Sequence, residues 1–175
     1  LPGQDEGFFG PMTLSFPINY WGETTQVYIN YNGTISFGSP LLSSYGSSLP
    51  LHGDTTRVIA PFWADIDTSV VPAEGNTGTN SVYVSERVYN GWRQFVVTWD
   101  GVLAWIGDSS EEATFQLVVQ EDGRIGIAWN NLDWPTWRAM VSGFSGSFLL
   151  TPPEGAMVEG SGSEAIWDTL THSHL

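Results

Sequence analysis

The stretch Ser81-Val82-Tyr83-Val84-Ser85-Glu86-Arg87-Val88-Tyr89-Asn90-Gly91-Trp92-Arg93-Gln94-Phe95-Val96-Val97-Thr98-Trp99 decides the fold. Asn90-Gly91 stands between two runs rich in Val, Tyr, Phe and Trp. Asn and Gly tolerate the positive φ that a two-residue type I′ turn demands, so the stretch reads as a β-hairpin. With that loop, Tyr89 faces Trp92, Val84 faces Val97 and Val82 faces Trp99. Directly opposed residues share a sheet face. One face then carries Val82, Val84, Phe95, Val97 and Trp99, and the other Tyr83, Ser85, Arg87, Gln94, Val96 and Thr98. A slip of one residue would scramble this division.

Two further corners repeat the signal. Asn32-Gly33 lies between Gln26-Val27-Tyr28-Ile29-Asn30-Tyr31 and Thr34-Ile35-Ser36-Phe37, and Asp122-Gly123 lies between residues 114–121 and 124–129. As two-residue loops both give mixed faces. The first sets Tyr28, Ile35 and Phe37 against Val27, Ile29 and Tyr31. The second puts Glu121 opposite Arg124 as an ion pair, with Phe115, Leu117 and Val119 beside Gly126 and Ala128, and Val118, Ile125, Ile127 and Trp129 on the reverse. That mixture predicts a second hairpin covered on both sides. More strands are expected at 13–17, 57–63 and 140–144, and Pro61 demotes the middle one to an edge strand or a strand end. Loops fall at 39–54, 69–80 and 151–163. No stretch of ten or more residues shows a helical apolar period free of Gly and Pro. The one helix candidate is the short segment 163–170, with Ser163 as its N-cap.

Length and composition agree. The chain has 175 residues, enough for about one domain. Nine Trp, nine Phe and six Tyr argue against disorder. Twenty Gly and ten Pro suit many short strands. Net charge is −14, and every basic residue is Arg: Arg57, Arg87, Arg93, Arg124 and Arg138. So acidic a surface repels phosphate, which excludes nucleic acid and anionic lipid as natural partners. No apolar run is long enough to cross a bilayer, and no signal peptide opens the chain. Cysteine is absent, which excludes disulfides, zinc fingers and thiol catalysis. The expected fold is one all-β domain over residues 1–175: an antiparallel β-sandwich with three two-residue hairpins and one short C-terminal helix.

Several runs resemble a known family. Ile29-Asn30-Tyr31-Asn32-Gly33-Thr34-Ile35-Ser36-Phe37-Gly38 is similar to a hairpin of the NIDO domain, the extracellular domain of nidogens and some membrane mucins. Ile59-Ala60-Pro61-Phe62-Trp63-Ala64-Asp65-Ile66-Asp67-Thr68 resembles the family's apolar-Ala-Pro-Phe-Trp-Ala-Asp signature. Phe95-Val96-Val97-Thr98-Trp99, Thr114-Phe115-Gln116-Leu117-Val118 and Ser142-Gly143-Phe144-Ser145 fit in the same order. The resemblance covers residues 2–170. It implies a secreted or cell-surface β module of matrix or adhesion proteins, part of a longer multidomain chain, and it brings no catalytic residues.

The candidate chemistry is sparse. Asp65 and Asp67 flank Ile66, and residues two apart on a strand share a face about 6.5 Å apart. Such a pair can contribute to a Ca²⁺ site, with Asp108, Glu111 or Glu112 adding oxygens, or can cap a strand end. Paired carboxyls also serve glycoside hydrolases. His52, His172 and His174 are the histidines, and there is no Gly-x-Ser-x-Gly elbow for a hydrolase triad. Trp92, Trp105, Trp129, Trp134 and Trp137 form the notable aromatic set, and Asp133, Trp134 and Trp137 lie in one loop. Such rings stack on sugars, anchor a protein partner or plug the sandwich ends. Asn32-Gly33-Thr34 fits the N-glycosylation pattern, although the turn itself calls for Asn there.

The expected function is a non-enzymatic extracellular adhesion or matrix module that recognises a protein through loops at one end of the sandwich. Trp105, Asp133, Trp134 and Trp137 are the expected partner-binding residues, Asp65 and Asp67 the expected calcium ligands, and Asn32 the expected glycan acceptor. The alternatives are a carbohydrate-binding module that uses tryptophans 129–137 and a glycan-acting β-sandwich enzyme.

Overall fold

The computed structural model describes residues 1–20, 22–42, 57–106, 111–134 and 140–145. Its elements in chain order are β1 (Phe8–Asn19), β2 (Glu23–Asn30), β3 (Thr34–Phe37), β4 (Arg57–Ala64), β5 (Ile66–Asp67), β6 (Ser81–Tyr89), β7 (Trp92–Ala104), β8 (Glu112–Gln120), β9 (Ile125–Leu132) and β10 (Met140–Ser145). They form two antiparallel sheets packed as a sandwich. The first has the order β1-β2-β3-β4-β10; the second has β5-β7-β8-β9, with β6 also on the β7 edge. The helix expected at 163–170 lies outside the described residues.

The deciding hairpin takes the expected register. Tyr89 pairs with Trp92, Val84 with Val97 and Val82 with Trp99. Asn90 and Gly91 both have positive φ (50° and 85°), as a type I′ turn requires. Val82, Phe95, Val97 and Trp99 are buried, and Val84 packs against the same core.

The other two corners are one residue longer than expected. Asn30 pairs with Thr34 and Ile29 with Ile35, which leaves 31–33 as a three-residue loop closed by Gly33 N–H donating to Asn30 O (3.2 Å). At the third corner Val119 pairs with Ile125, and Gly123 N–H donates to Gln120 O (3.0 Å). Gly33 and Gly123 carry the positive φ (83° and 90°), whereas Asn32 and Asp122 do not. This is a type I turn followed by a left-handed glycine. The longer loop shifts each register and sorts each face. Val27, Ile29, Ile35 and Phe37 now share one buried side, as do Phe115, Leu117, Val119, Ile125 and Ile127. The hairpin expected to be apolar on both sides is apolar on one. The expected Glu121–Arg124 pair does not form: Glu121 pairs with Arg93 (2.6 Å) and Arg124 with Asp122 (3.4 Å). The Arg93 backbone N–H and guanidinium hold the Glu121 carboxyl below its ordinary range.

Pro61 also behaves differently from the expectation. β4 is an interior strand, between β3 and β10. The β4–β10 register shifts between Val141 and Gly143, so Pro61 sits in a bulge and the ladder needs no donor from it. Its freed carbonyl accepts from Trp129 Nε1 (3.0 Å) and Ser142 Oγ (3.0 Å). The prolines of β1, Pro11 and Pro17, lie on an edge strand, where a missing donor costs little.

Aromatic rings fill the interior. Trp99 stacks on Phe115 (4.9 Å between centroids, 15°), and Phe115 meets Phe62 at 5.1 Å. Trp134 closes the stack edge-on against Phe62 (5.1 Å, 85°). A smaller buried cluster of Leu41, Val58, Ala60 and Trp63 includes the other face of β4.

The chain crosses from the first sheet to the second within Ala64-Asp65-Ile66, and the β2–β3 corner clamps that crossing. Ala64 N–H donates to Asn32 O (3.2 Å), and Phe62 N–H donates to Gly33 O (3.4 Å). The Asn32 side chain is fully buried; its Oδ1 accepts from Ile66 N–H (2.7 Å) and its Nδ2 donates to Glu6 Oε2 (3.1 Å). A Cβ on Gly33 would lie 1.8 Å from the Phe62 carbonyl oxygen, so only glycine fits against the crossing. The two most recognisable motifs of the sequence thus meet each other, as architecture.

Candidate functional site

Strand polarity brings the candidate residues to one end of the sandwich. Ile66 pairs with Ala104, Leu103 with Glu112, and Ala113 with Leu132. The start of β5, the end of β7, the start of β8 and the end of β9 therefore lie side by side. Beyond these strand ends sit Asp65, Trp105, Glu111 and Asp133. The N-terminal segment joins them: Gln4 O accepts from Thr68 N–H (2.9 Å), and Gly7 O accepts from Tyr31 N–H (3.2 Å).

Trp105 is the exposed aromatic of this end, 40% accessible. Its backbone N–H donates to Asp65 O (3.0 Å), and its indole N–H is bonded to the Asp5 carboxyl. The next residue, Ile106, is 74% exposed and has φ of 50°. A β-branched residue in the left-handed region is strained, and strain of this kind persists where the surroundings impose it. The result is an apolar pair held out to solvent with the indole already oriented.

The surroundings of that pair are acidic. Burial, and then the charges of Asp67 and Asp65, push the Asp5 carboxyl above its ordinary range, against the opposing pull of the Trp105 hydrogen bond. One Asp5 oxygen, Oδ1, is buried without a hydrogen-bond partner, as is Glu111 Oε2. Glu112 is buried and tied to the 69–80 loop, accepting from Thr77 N–H (3.2 Å) and Gly78 N–H (3.3 Å).

The remaining expectations divide. Asp67 takes the capping role: its Oδ1 accepts from Ser69 N–H (2.8 Å) and Ser69 Oγ (2.6 Å). Among the described residues no group of three or more His, Cys, Asp or Glu side chains is arranged to hold a metal ion, so the arrangement lends nothing to the expected calcium ligation by Asp65 and Asp67. Asn32 is at odds with the glycosylation expectation, because its amide is buried and bonded at both ends. Trp129 and Trp134 are partly buried and pack on the core, the plugging role, while Asp133 beside them is exposed. Trp92 is exposed, but on the β6–β7 hairpin. Trp137, Asp108, His52, His172 and His174 lie outside the described residues. The sequence reading missed Asp5 and Ile106. Asp5 reaches the site through the Gln4–Thr68 contact, which has no local signature, and Ile106 is marked by backbone conformation alone.

A family model described as NIDO related matches residues 2–145. The alpha-tectorins of mouse and human are each 28% identical to the chain over 176 residues, and that of chicken is 26% identical over 173. Each match takes in 90% of this chain and 8% of the relative, so the chain corresponds to a small part of these proteins. No solved structure matches.

Proposed function

The chain belongs to the NIDO-related family, and from that premise we propose that it is a non-enzymatic module of a larger extracellular matrix protein, recognising a partner protein through the Trp105 end of the sandwich. The observation that carries the reading is the Trp105–Ile106 pair, exposed, with the indole bonded to Asp5 and the Trp105 backbone to the Asp65 carbonyl, at an end where Asp5, Asp65 and Asp67 act on one another. Tryptophan is a preferred anchor of protein interfaces, and an anchor fixed before binding loses little entropy on docking. The acidic surround selects for a basic partner surface and speeds its approach. Asp133 extends the same rim. The extracellular setting is carried over from the family and its alpha-tectorin relatives.

The test is saturable binding of the folded chain to a salt-washed extracellular matrix preparation. The proposal expects binding that weakens with ionic strength, falls at least tenfold in Trp105→Ala, falls less in Asp133→Asn, and persists in Val88→Ser on the distant hairpin. Absence of saturable binding, or equal binding by Trp105→Ala, overturns it.

A further inference from the structure

The second sheet has an outer face that the Trp105 end does not use. Alternate residues of β6, β7, β8 and β9 point out of it, and at the outward positions of 83–89, 92–98, 116–120 and 126–130 there is no Asp or Glu. The charge at these positions is Arg87; Asp100, farther along β7 on the same face and opposite Ser81, is tied to Thr79 (2.7 Å). Tyr89 and Trp92 lie beside Arg87 and Tyr83 farther along β6, 57%, 44% and 51% exposed. Tyr89 and Trp92 are directly opposed across the strands. Tyr83 lies six residues along β6 from Tyr89, about 20 Å away.

Arg87 is held in one orientation. Its Nε donates to Gln94 Oε1 (2.9 Å), and its guanidinium lies 5.7 Å from the centre of the Tyr89 ring. Gln94 Nε2 in turn donates to Gln120 Oε1 (2.8 Å), so an amide ladder runs across three strands behind the guanidinium. A second rung joins Gln116 Nε2 to Thr98 Oγ1 (2.7 Å). The other described arginines are satisfied from within: Arg93 by Glu121, Arg124 by Asp122, and Arg57 of the first sheet by the Tyr20 and Gly22 carbonyls. Arg87 has no carboxylate partner among the described residues. An acid-rich chain has here placed a fixed cation beside exposed rings with no carboxylate paired to it among the described residues.

We propose that this face, centred on Arg87 between Tyr83, Tyr89 and Trp92, binds a carboxylate-bearing glycan. The remaining guanidinium N–H groups suit a sugar carboxylate, for which the planar fork gives paired hydrogen bonds. The exposed rings offer flat apolar platforms to the C–H faces of pyranose rings. Gln116 and Thr98, half-buried, add amide and hydroxyl groups to the face, while the buried Gln94 and Gln120 hold the guanidinium from behind, and the spread of the rings fits an oligosaccharide better than a single sugar. Acids at the end of the sandwich weaken this attraction little, since the screening length in physiological salt is about 8 Å.

The test is calorimetric or NMR titration of the whole chain with a hyaluronan octasaccharide, with the same octasaccharide after reduction of its carboxyls to alcohols, and with a poly-glutamate peptide. The proposal expects saturable octasaccharide binding, at least tenfold weaker for the reduced form and for Arg87→Gln and Trp92→Ala, several-fold weaker for Arg87→Lys, and unaltered in Val88→Ser. The substituted side chains are exposed, so melting temperature should be unchanged, which separates lost binding from lost structure. Lack of binding at millimolar octasaccharide, equal binding by Arg87→Gln, or equal binding of the reduced sugar overturns the proposal. So does poly-glutamate binding as tightly as the octasaccharide, which would assign the face to an acidic peptide.

Discussion

Replacing Asn32 by Ala separates a structural clamp from a glycan acceptor. Two hydrogen bonds depend on this buried side chain, from Ile66 N–H at 2.7 Å and to Glu6 Oε2 at 3.1 Å. Alanine leaves the Ile66 amide without its acceptor at the sheet crossing. An orphaned buried donor costs about 1–3 kcal/mol, and the lost bond to Glu6, which is partly exposed, adds about 1 kcal/mol. The expected loss is about 2–4 kcal/mol. For a chain of this length that lowers the melting temperature by roughly 4–16 °C. The paired control is Thr34→Val, which removes the same N-glycosylation pattern. The Thr34 hydroxyl is buried without a hydrogen-bond partner, so valine is expected to be neutral or stabilising. Urea unfolding of protein from bacterial and from glycosylating host cells, with intact mass, reads both variants. A clamp makes the two substitutions diverge in both hosts; a glycan acceptor makes them alike in the glycosylating host. Glycan mass at Asn32, or a loss below about 0.5 kcal/mol in Asn32→Ala, would refute the clamp, because surface substitutions stay within that range.

Three further outcomes are expected. Gly33→Ala should abolish soluble expression or cost well over the 1–2 kcal/mol of a left-handed alanine, since its Cβ meets a carbonyl oxygen at 1.8 Å, whereas Gly91→Ala, with nothing within 4 Å, should cost about 1–2 kcal/mol in denaturant titrations. The raised Asp5 carboxyl binds its proton more tightly in the folded chain than in the unfolded one. Its contribution to stability therefore falls as pH rises from the ordinary carboxylate range through the raised value, so Asp5→Asn should melt higher than the parent at pH 7 and lose that advantage towards pH 4. The calcium expectation is read by melting temperature: a rise in millimolar Ca²⁺ that chelator reverses and Asp65→Asn removes would support Asp65 and Asp67 as ligands, and no change would set it aside.

Much of the fold was legible because strand alternation and turn chemistry are local. Residues 81–99 gave register, turn type and buried face together, since an Asn-Gly pair with both φ angles positive permits a single loop length. The other corners, Asn32-Gly33 and Asp122-Gly123, carry the same kind of dipeptide but not the conformation, because a glycine can equally end a three-residue loop. The mixed faces obtained with the shorter loop were the sign of that error: one added residue gathers Val27, Ile29, Ile35 and Phe37 on one side. Pro61 was misplaced because a proline signals a missing donor but not whether an edge or a bulge accommodates it. The candidate site was less legible. Trp105 and Trp134 look alike in the sequence, yet one is oriented outward by Asp5 and the other packs on Phe62. That difference arises from contacts between segments far apart in the chain, which no spacing encodes.

Recognition through the Trp105 end is tested most directly by amide hydrogen exchange on the chain, free and bound to the matrix component it retains. Slowed exchange should map to 104–106, 112–113 and 132–133, with no change along the distant 86–93 hairpin. Protection confined to the 86–93 hairpin, or absent from residues 104–106, would place the contact elsewhere and contradict the assignment.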